Sequence, residues 1–265
     1  MNFSDEGILL SKLKYGESSL ILTIFTKNYG IQKGLLKGGN SLRNKSKLEV
    51  GNVLNLDKRA RLEEQLGFLR VELKESFLIN IFFHPLKSLI LTCMCDLLDE
   101  FLPEKEADEG FYNFSKNIII SLQNEDYIIS YILWEVVLLE KIGFGLDISQ
   151  CAVSKLAKDL YYISPNTGKA VIKDIGEIYK HKLFVIPSFF SPKNKILPQE
   201  LKIGEIYLPP SLQEIKEGFK ITGHFLDRFS KEYHKRIPFN RKILINKILS
   251  DKLNLFQKQD LQELR

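Results

Sequence analysis

Hydrophobic and polar positions alternate through the first third of the chain. Glu6-Gly7-Ile8-Leu9-Leu10-Ser11-Lys12-Leu13-Lys14 reads as a strand, and 20–26, 31–38, 48–60 and 67–76 read as four more. Asn28-Tyr29-Gly30 punctuates the second and third as a turn. The glycines at 34, 38, 39, 51 and 67 suit bulges and tight bends, because glycine within a strand otherwise weakens it. Five short strands predict a small closed barrel, and the oligonucleotide-binding (OB) barrel is the common five-stranded form that also presents a face to nucleic acid.

Near residue 84 the period changes from two to that of a helix. His84-Pro85 starts one, 86–102 continues it, and Pro103 ends it. Helices are also predicted over 110–122 and 126–142, the latter with Asp126 as N-cap and Gly143 beyond its end. The third is apolar around most of its circumference, including Trp134, so it is expected at the centre of a bundle. An apolar run at 183–190 leads to a loop-like 192–210. Ser211 then caps a helix over 212–235 whose stripe is Leu212, Ile215, Phe219, Leu226, Phe229 and Tyr233. After Pro238 a last helix covers 241–249, before a polar end at 257–265. The fold class expected is α+β.

Composition narrows the class. Hydrophobic residues make up 44% and charged residues 27%, which excludes a disordered or fibrous chain. No run approaches the roughly 18 apolar residues of a membrane span, and the first residues lack the basic, then apolar, pattern of a secretion signal. A cytoplasmic location, associated with the nucleoid, is expected. Three cysteines, Cys93, Cys95 and Cys151, do not make a disulfide framework. Cys93 and Cys95 point to different faces of a helix and are expected to be buried, inert thiols.

The net charge of +5 conceals segregation. Residues 27–61 hold nine Lys or Arg against two Asp or Glu, and 216–258 hold eleven against four, whereas 62–215 hold fifteen against twenty-two. Two basic blocks around an acidic middle suggest two surfaces for a polyanion, although Lys-rich helices are also ordinary solvated faces. Holding single strands without reading them takes cations for phosphates and flat rings for bases. Lys33, Lys37, Arg43, Lys45, Lys47, Lys58, Arg59 and Arg61 are the candidate phosphate contacts. Tyr15, Phe25, Tyr29 and Phe68 are candidate platforms, with core packing the alternative for each ring. Two basic blocks also suggest annealing, each screening one of two mutually repelling strands.

No enzyme is expected. Asp96, Asp99 and Glu100, or Glu104, Glu106, Asp108 and Glu109, lack the histidine or fixed spacing of a metal-dependent nuclease, and Lys37-Gly38-Gly39 lacks the order of a phosphate-cradling loop. No cofactor is expected either.

Several segments together resemble one family. Lys14-Tyr15-Gly16-Glu17-Ser18-Ser19-Leu20, Phe25-Thr26, Lys37-Gly38-Gly39, Ala60-Arg61-Leu62-Glu63 and Leu139-Glu140-Lys141-Ile142-Gly143-Phe144-Gly145-Leu146-Asp147-Ile148-Ser149-Gln150-Cys151-Ala152 are similar, in order and spacing, to the bacterial DNA repair and recombination mediator family RecO. The resemblance runs from about Glu6 to Phe189. It implies an OB-fold domain at 1–80 and a helical domain at 81–265, with a ribbon inserted at about 146–176 that binds zinc in many members. Here Cys151-Ala152-Val153-Ser154 and Ala170-Val171-Ile172-Lys173 keep one ligand of four, so no zinc is expected and packing of Leu160, Tyr161, Tyr162 and Ile163 is to hold the ribbon.

The resemblance further implies a mediator that binds single-stranded DNA, promotes annealing and recombinase loading, and engages RecR and the acidic, aromatic-ended tail of the single-stranded DNA-binding protein. Lys216, Phe219, Lys220, Phe225 and Arg228 have the composition of a pocket for such a tail, helix core being the alternative for the phenylalanines. A general RNA- or single-strand-binding barrel protein is the competing reading.

Overall fold

The computed structural model describes residues 2–62, 65–123, 127–190 and 210–250. The N-cap expected at Asp126, most of the loop expected at 192–210 and the polar end at 257–265 lie outside the described residues. The chain divides into two compact units, Met1–Gln123 and Asn124–Arg265.

The first unit is built on a closed five-stranded barrel. Its strands are β1 (Asn2–Tyr15), β2 (Ser19–Thr26), β3 (Gly30–Leu36), β4 (Val53–Arg59) and β5 (Phe68–Glu75), in the order β1-β2-β3-β5-β4 around the wall. A short α1 (Leu42–Lys45) joins β3 to β4. β1 is long enough to pair with β4 through its first half and β2 through its second, and a bulge between Leu9 and Ser11 bends it between the two. Inward positions fill the barrel with Leu9, Leu20, Leu22, Ile24, Leu36, Leu54, Leu56, Leu69 and Val71, and Leu48 also packs in this core. Each such side chain contributes about 1.5–3 kcal/mol by leaving water.

One seam of the barrel is thin. β3 and β5 run parallel and pair at Leu35 and Phe68, where the Leu35 N–H donates to Gly67 O at 2.9 Å. The other half of β3 is met by the segment after the third helix. Ile31 pairs with Glu104, and the Lys105 N–H donates to Ile31 O at 3.1 Å. Gly30, at φ +64°, permits this approach, since a Cβ there would sit 2.2 Å from the Glu106 carbonyl oxygen.

Three helices complete the unit: α2 (Leu78–Phe82), α3 (Pro85–Phe101) and α4 (Glu109–Ser121). Proline in the first turn of α3 and the Asp108 carboxylate, accepting the Phe111 N–H at 2.8 Å, set two of their starts. α3 packs against β1, with Ser11 donating to Asp99 at 2.8 Å. Cys93 and Cys95 are fully buried in α3, and burial pushes the Cys95 thiol up, consistent with an inert group.

The second unit centres on α5 (Tyr127–Lys141), in which every residue from Ile128 to Leu139 is buried. α7 (Leu212–Glu232) packs against it and begins with a capping box between Ser211 and Glu214. Between them lies the ribbon: β6 (Leu160–Ile163), β7 (Ala170–Ile172), α6 (Lys173–Gly176), a 3-10 turn at Glu177–Lys182, and β8 (Phe184–Val185), with sheet order β7-β6-β8. A last helix, α8, spans 239–250.

The buried stretch of α5 includes one charge. Glu135 is fully buried, and its carboxylate accepts from Arg241 Nε at 2.7 Å and Nη2 at 2.8 Å, from Tyr131 at 2.6 Å and from Thr222 at 2.6 Å. A buried carboxylate is tolerable only when paired and hydrogen-bonded, and this one ties α5, α7 and α8 together.

Candidate nucleic-acid interface

Because side chains alternate along a strand, the residues between the barrel's inward leucines face out. Leu13 pairs with Ile21, Ile21 with Leu35, Leu35 with Phe68 and Phe68 with Arg59. Directly opposed residues share a face, so these form one row across five strands. With strands about 4.8 Å apart, its apolar part from Leu13 to Phe68 spans about 14 Å. Leu13 is 66% exposed and Phe68 50%, and Tyr15, further along β1, is also exposed. Ile21 and Leu35 between them are half-buried, so the row presents its apolar surface chiefly at its two ends.

Cations border the row at the Phe68 end. The Lys37 ammonium lies 4.6 Å from the Phe68 ring centroid, and Arg59, beside Phe68 in the register, is exposed, as is Arg61. Lys45 is exposed on α1 and Lys47 half-buried just after it, while the side chain of Arg43 lies outside the described residues.

The other two expected phosphate contacts are occupied differently. Lys33 is part-exposed and pairs with Glu104 at 2.7 Å, a hydrogen bond that raises its pKa and lowers that of Glu104. Lys58 must be corrected: it is 4% exposed, pointing inward, and donates to Gln32 Oε1 at 2.9 Å. The physical reason is the period of two in β4, which places Leu54, Leu56 and Lys58 on one face, and burial holds the Lys58 ammonium below its usual pKa.

Among the expected platforms, Phe68 and Tyr15 are exposed. Phe25 is 1% exposed and packs 5.5 Å from Tyr112 and 6.0 Å from Phe111, so it belongs to the core. Tyr29 stacks on Phe3 at 4.0 Å. Leu13, Ile21 and Leu35 were not singled out from the sequence. Their signal was present: each lies two positions from a polar residue of its own strand, Ser11, Ser19 and Lys33 respectively, and so shares that residue's outward face.

The residues expected to hold a partner's tail divide likewise. Phe219 and Phe225 require correction, being 4% and 1% exposed, because they lie on the stripe that α7 buries. Lys216 is half-buried, and Lys220 is exposed, 3.6 Å from Glu217 and over the Phe184 ring. Arg228 donates to Pro165 O and Asn166 O, both at 3.0 Å, and lies against the Phe144 and Phe225 rings. A pocket of about 330 Å³ opens beside it, lined by Gly143, Phe144, Asn166, Phe225, Glu232 and Tyr233 among others.

The ribbon's donor set does not fit zinc. Cys151 is buried with its Sγ accepting the Ser154 N–H at 3.5 Å, and the three remaining ligand positions of the two knuckles carry Ser154, Ala170 and Lys173. The ribbon's small core is Cys151, Tyr162 and Val171, with Leu160, Ile172, Ile175, Leu183 and Val185 against it. Tyr161, expected to pack, is instead 39% exposed. No described helix is long and apolar enough to cross a membrane.

Comparison with known proteins agrees with this architecture. The family description "Recombination protein O N terminal" matches residues 1–77, and "Recombination protein O C terminal" matches 84–236. The DNA repair protein RecO of Wolbachia pipientis wMel is 36% identical over 231 residues, covering 86% of this chain and 92% of that protein. Its counterpart from Rhodospirillum centenum is 34% identical over 230 residues, 86% of each. That of Cereibacter sphaeroides is 34% identical over 246 residues, 93% of this chain and 98% of the other. With both halves of the chain matched in order, an OB-type barrel in the first and a mostly helical second half, the chain belongs to the RecO family of DNA repair proteins.

Proposed function

We propose that this chain acts in DNA repair as a non-catalytic mediator that holds single-stranded DNA on the outer row of its barrel. The observation that carries the reading is the join of that row to its cations: Leu13, Ile21, Leu35 and Phe68 offer apolar surface to bases, and Lys37, Arg59 and Arg61 stand where a backbone passes. None of these groups reads a base edge, so binding is expected to be sequence-tolerant and strongly salt-dependent. Screening of phosphates by such a surface favours annealing of complementary strands, and recombinase loading follows from the family. RecR and the single-stranded DNA-binding protein are the expected partners. The pocket beside Arg228 has the size and aromatic lining for the end of an acidic tail.

Annealing of complementary strands coated with the cognate single-stranded DNA-binding protein tests the reading. Full activity with the intact coat protein, and loss when that protein's tail is removed, is expected. Equal affinity for duplex and single strands, with no annealing, would instead favour a general nucleic-acid-binding barrel.

A further inference from the structure

The ribbon has kept its fold without a metal-ligand set, and its surface repeats a feature of the barrel. In the barrel, the Lys37 ammonium sits 4.6 Å from the ring of half-exposed Phe68. On the ribbon, the Lys173 ammonium sits 5.2 Å from the ring of Tyr161, which is 39% exposed. Of the cation–ring pairs among the described residues, these two have exposed rings. Those of Lys220 and Arg241 use the buried rings of Phe184 and Phe219, and Arg228 lies on the half-buried Phe144 and buried Phe225.

The Tyr161 site is a contiguous cluster. Its ring meets Tyr162 edge-on at 4.8 Å, Tyr162 donates to Glu177 at 2.8 Å, and Glu177 accepts from Lys180 at 2.7 Å. Gly176 lets α6 come down on the Tyr162 ring, where a Cβ would sit 2.3 Å away. Tyr161 is therefore braced from one side by a buried ring. The Lys173 N–H donates to Asp159 O at 3.2 Å, which brings the turn carrying exposed Lys158 to the same corner.

Charge points the same way. Residues 151–182 hold six lysines against three carboxylates, an excess concealed by the acidic middle of the chain. Among the described residues Lys155, Lys158 and Lys182 form no ion pair. Among the described residues the second basic block offers no cation seated on an exposed ring, and four of its nine described cations are engaged: Lys220 and Lys231 pair within α7, Arg228 donates to backbone carbonyls and Arg241 pairs with buried Glu135.

We infer that the ribbon is a second contact for single-stranded DNA, in which Tyr161 stacks on a base and Lys158 and Lys173 meet the adjoining phosphates. The inference rests on the reading of the chain as a single-strand binder, and it adds the ribbon to the C-terminal helices as a contact for the second strand in annealing. A preset ring with an ammonium on its face supplies stacking and neutralisation with little side-chain ordering.

Photocrosslinking of the full chain to a long thymine-rich strand bearing bromodeoxyuridine, followed by peptide mapping, tests it. Crosslinks within 158–180 are expected beside those in the barrel. Tyr161→Ala with Lys173→Glu should abolish the ribbon crosslinks, slow annealing about tenfold and lower the salt slope of binding by about one, while barrel crosslinks persist. Tyr161→Phe should retain both activities. Absence of ribbon crosslinks in the unaltered chain overturns the inference, whether or not the double variant folds, as does unchanged annealing in a folded double variant. Ribbon crosslinks without barrel crosslinks would refute the barrel face alone.

Discussion

The Lys33 ammonium lies 2.7 Å from the Glu104 carboxylate on the edge of β3 that β5 leaves free. Lys27 and Glu109 pair at 3.2 Å along the same stretch. An acidic segment thus answers Lys27 and Lys33 from within the chain, whereas among the described residues Lys37, Arg59 and Arg61 form no ion pair.

Glu104→Gln releases Lys33, so single-strand affinity should rise about twofold to fivefold at low salt, with a salt slope steeper by about one. Titration at several salt concentrations checks this; an unchanged slope would show that Lys33 lies off the DNA path. The pH window follows from the shifts. Glu104 is depressed, so its share of the pair is present above the ordinary glutamate range and lost as pH falls through its lower folded value. Lys33 is raised, so its share is lost only as pH climbs through a value above that of free lysine. Between about pH 5 and 9 the Glu104→Gln effect should therefore be constant.

Phe68→Ala and Lys37→Ala should differ in kind. Losing the ring removes stacking, lowering affinity about tenfold with the salt slope kept. Losing the ammonium should lower the slope by about one with a smaller change in affinity at high salt. Matching salt profiles for the two variants would contradict the division of labour assigned to the pair.

Lys58→Met should alter single-strand affinity less than about twofold, because a side chain bonded to Gln32 inside the barrel meets no phosphate. Its stability should shift by about 1 kcal/mol or less, a buried charge being exchanged for an apolar chain at the cost of one hydrogen bond. Fluorescence anisotropy and denaturant melts measure both.

Arg241→Met leaves the Glu135 carboxylate buried without its cation and should cost about 3–5 kcal/mol. Adding Glu135→Leu should restore much of that loss in a double-mutant cycle read by urea unfolding. Two additive losses would mean that the pair is not a unit.

The elements with strong periodicity were legible. α3, α4 and α5 begin and end within about two residues of their expected limits, because Pro85, Asp108 and Gly143 carry local stop and start chemistry. Five strands in order and the apolar α5 were equally plain. Lys58 was not, since a lysine on the inward face of β4 looks like any other basic residue until the register is known. Phe219 and Phe225 show the same ambiguity on α7, where a buried stripe and a docking surface have one spacing. Pairings distant in sequence, such as Lys33 with Glu104 and Glu135 with Arg241, are invisible to any local pattern. The Leu13 to Phe68 row needed the cross-strand register to bring Leu13, Ile21 and Leu35 beside Phe68.

The single pairing of β3 with β5 would, on the proposed reading, couple ligand binding to barrel integrity. A seam held at Leu35 and Phe68 is where local opening costs least, and the same two residues carry the row on which bases are to stack. A DNA strand bound across that seam as proposed would clamp it, and the free energy of binding would show as protection of the Leu35 amide against exchange with solvent. On the proposed reading, the same seam that closes the barrel at one residue pair would be the part of the wall most protected by bound DNA.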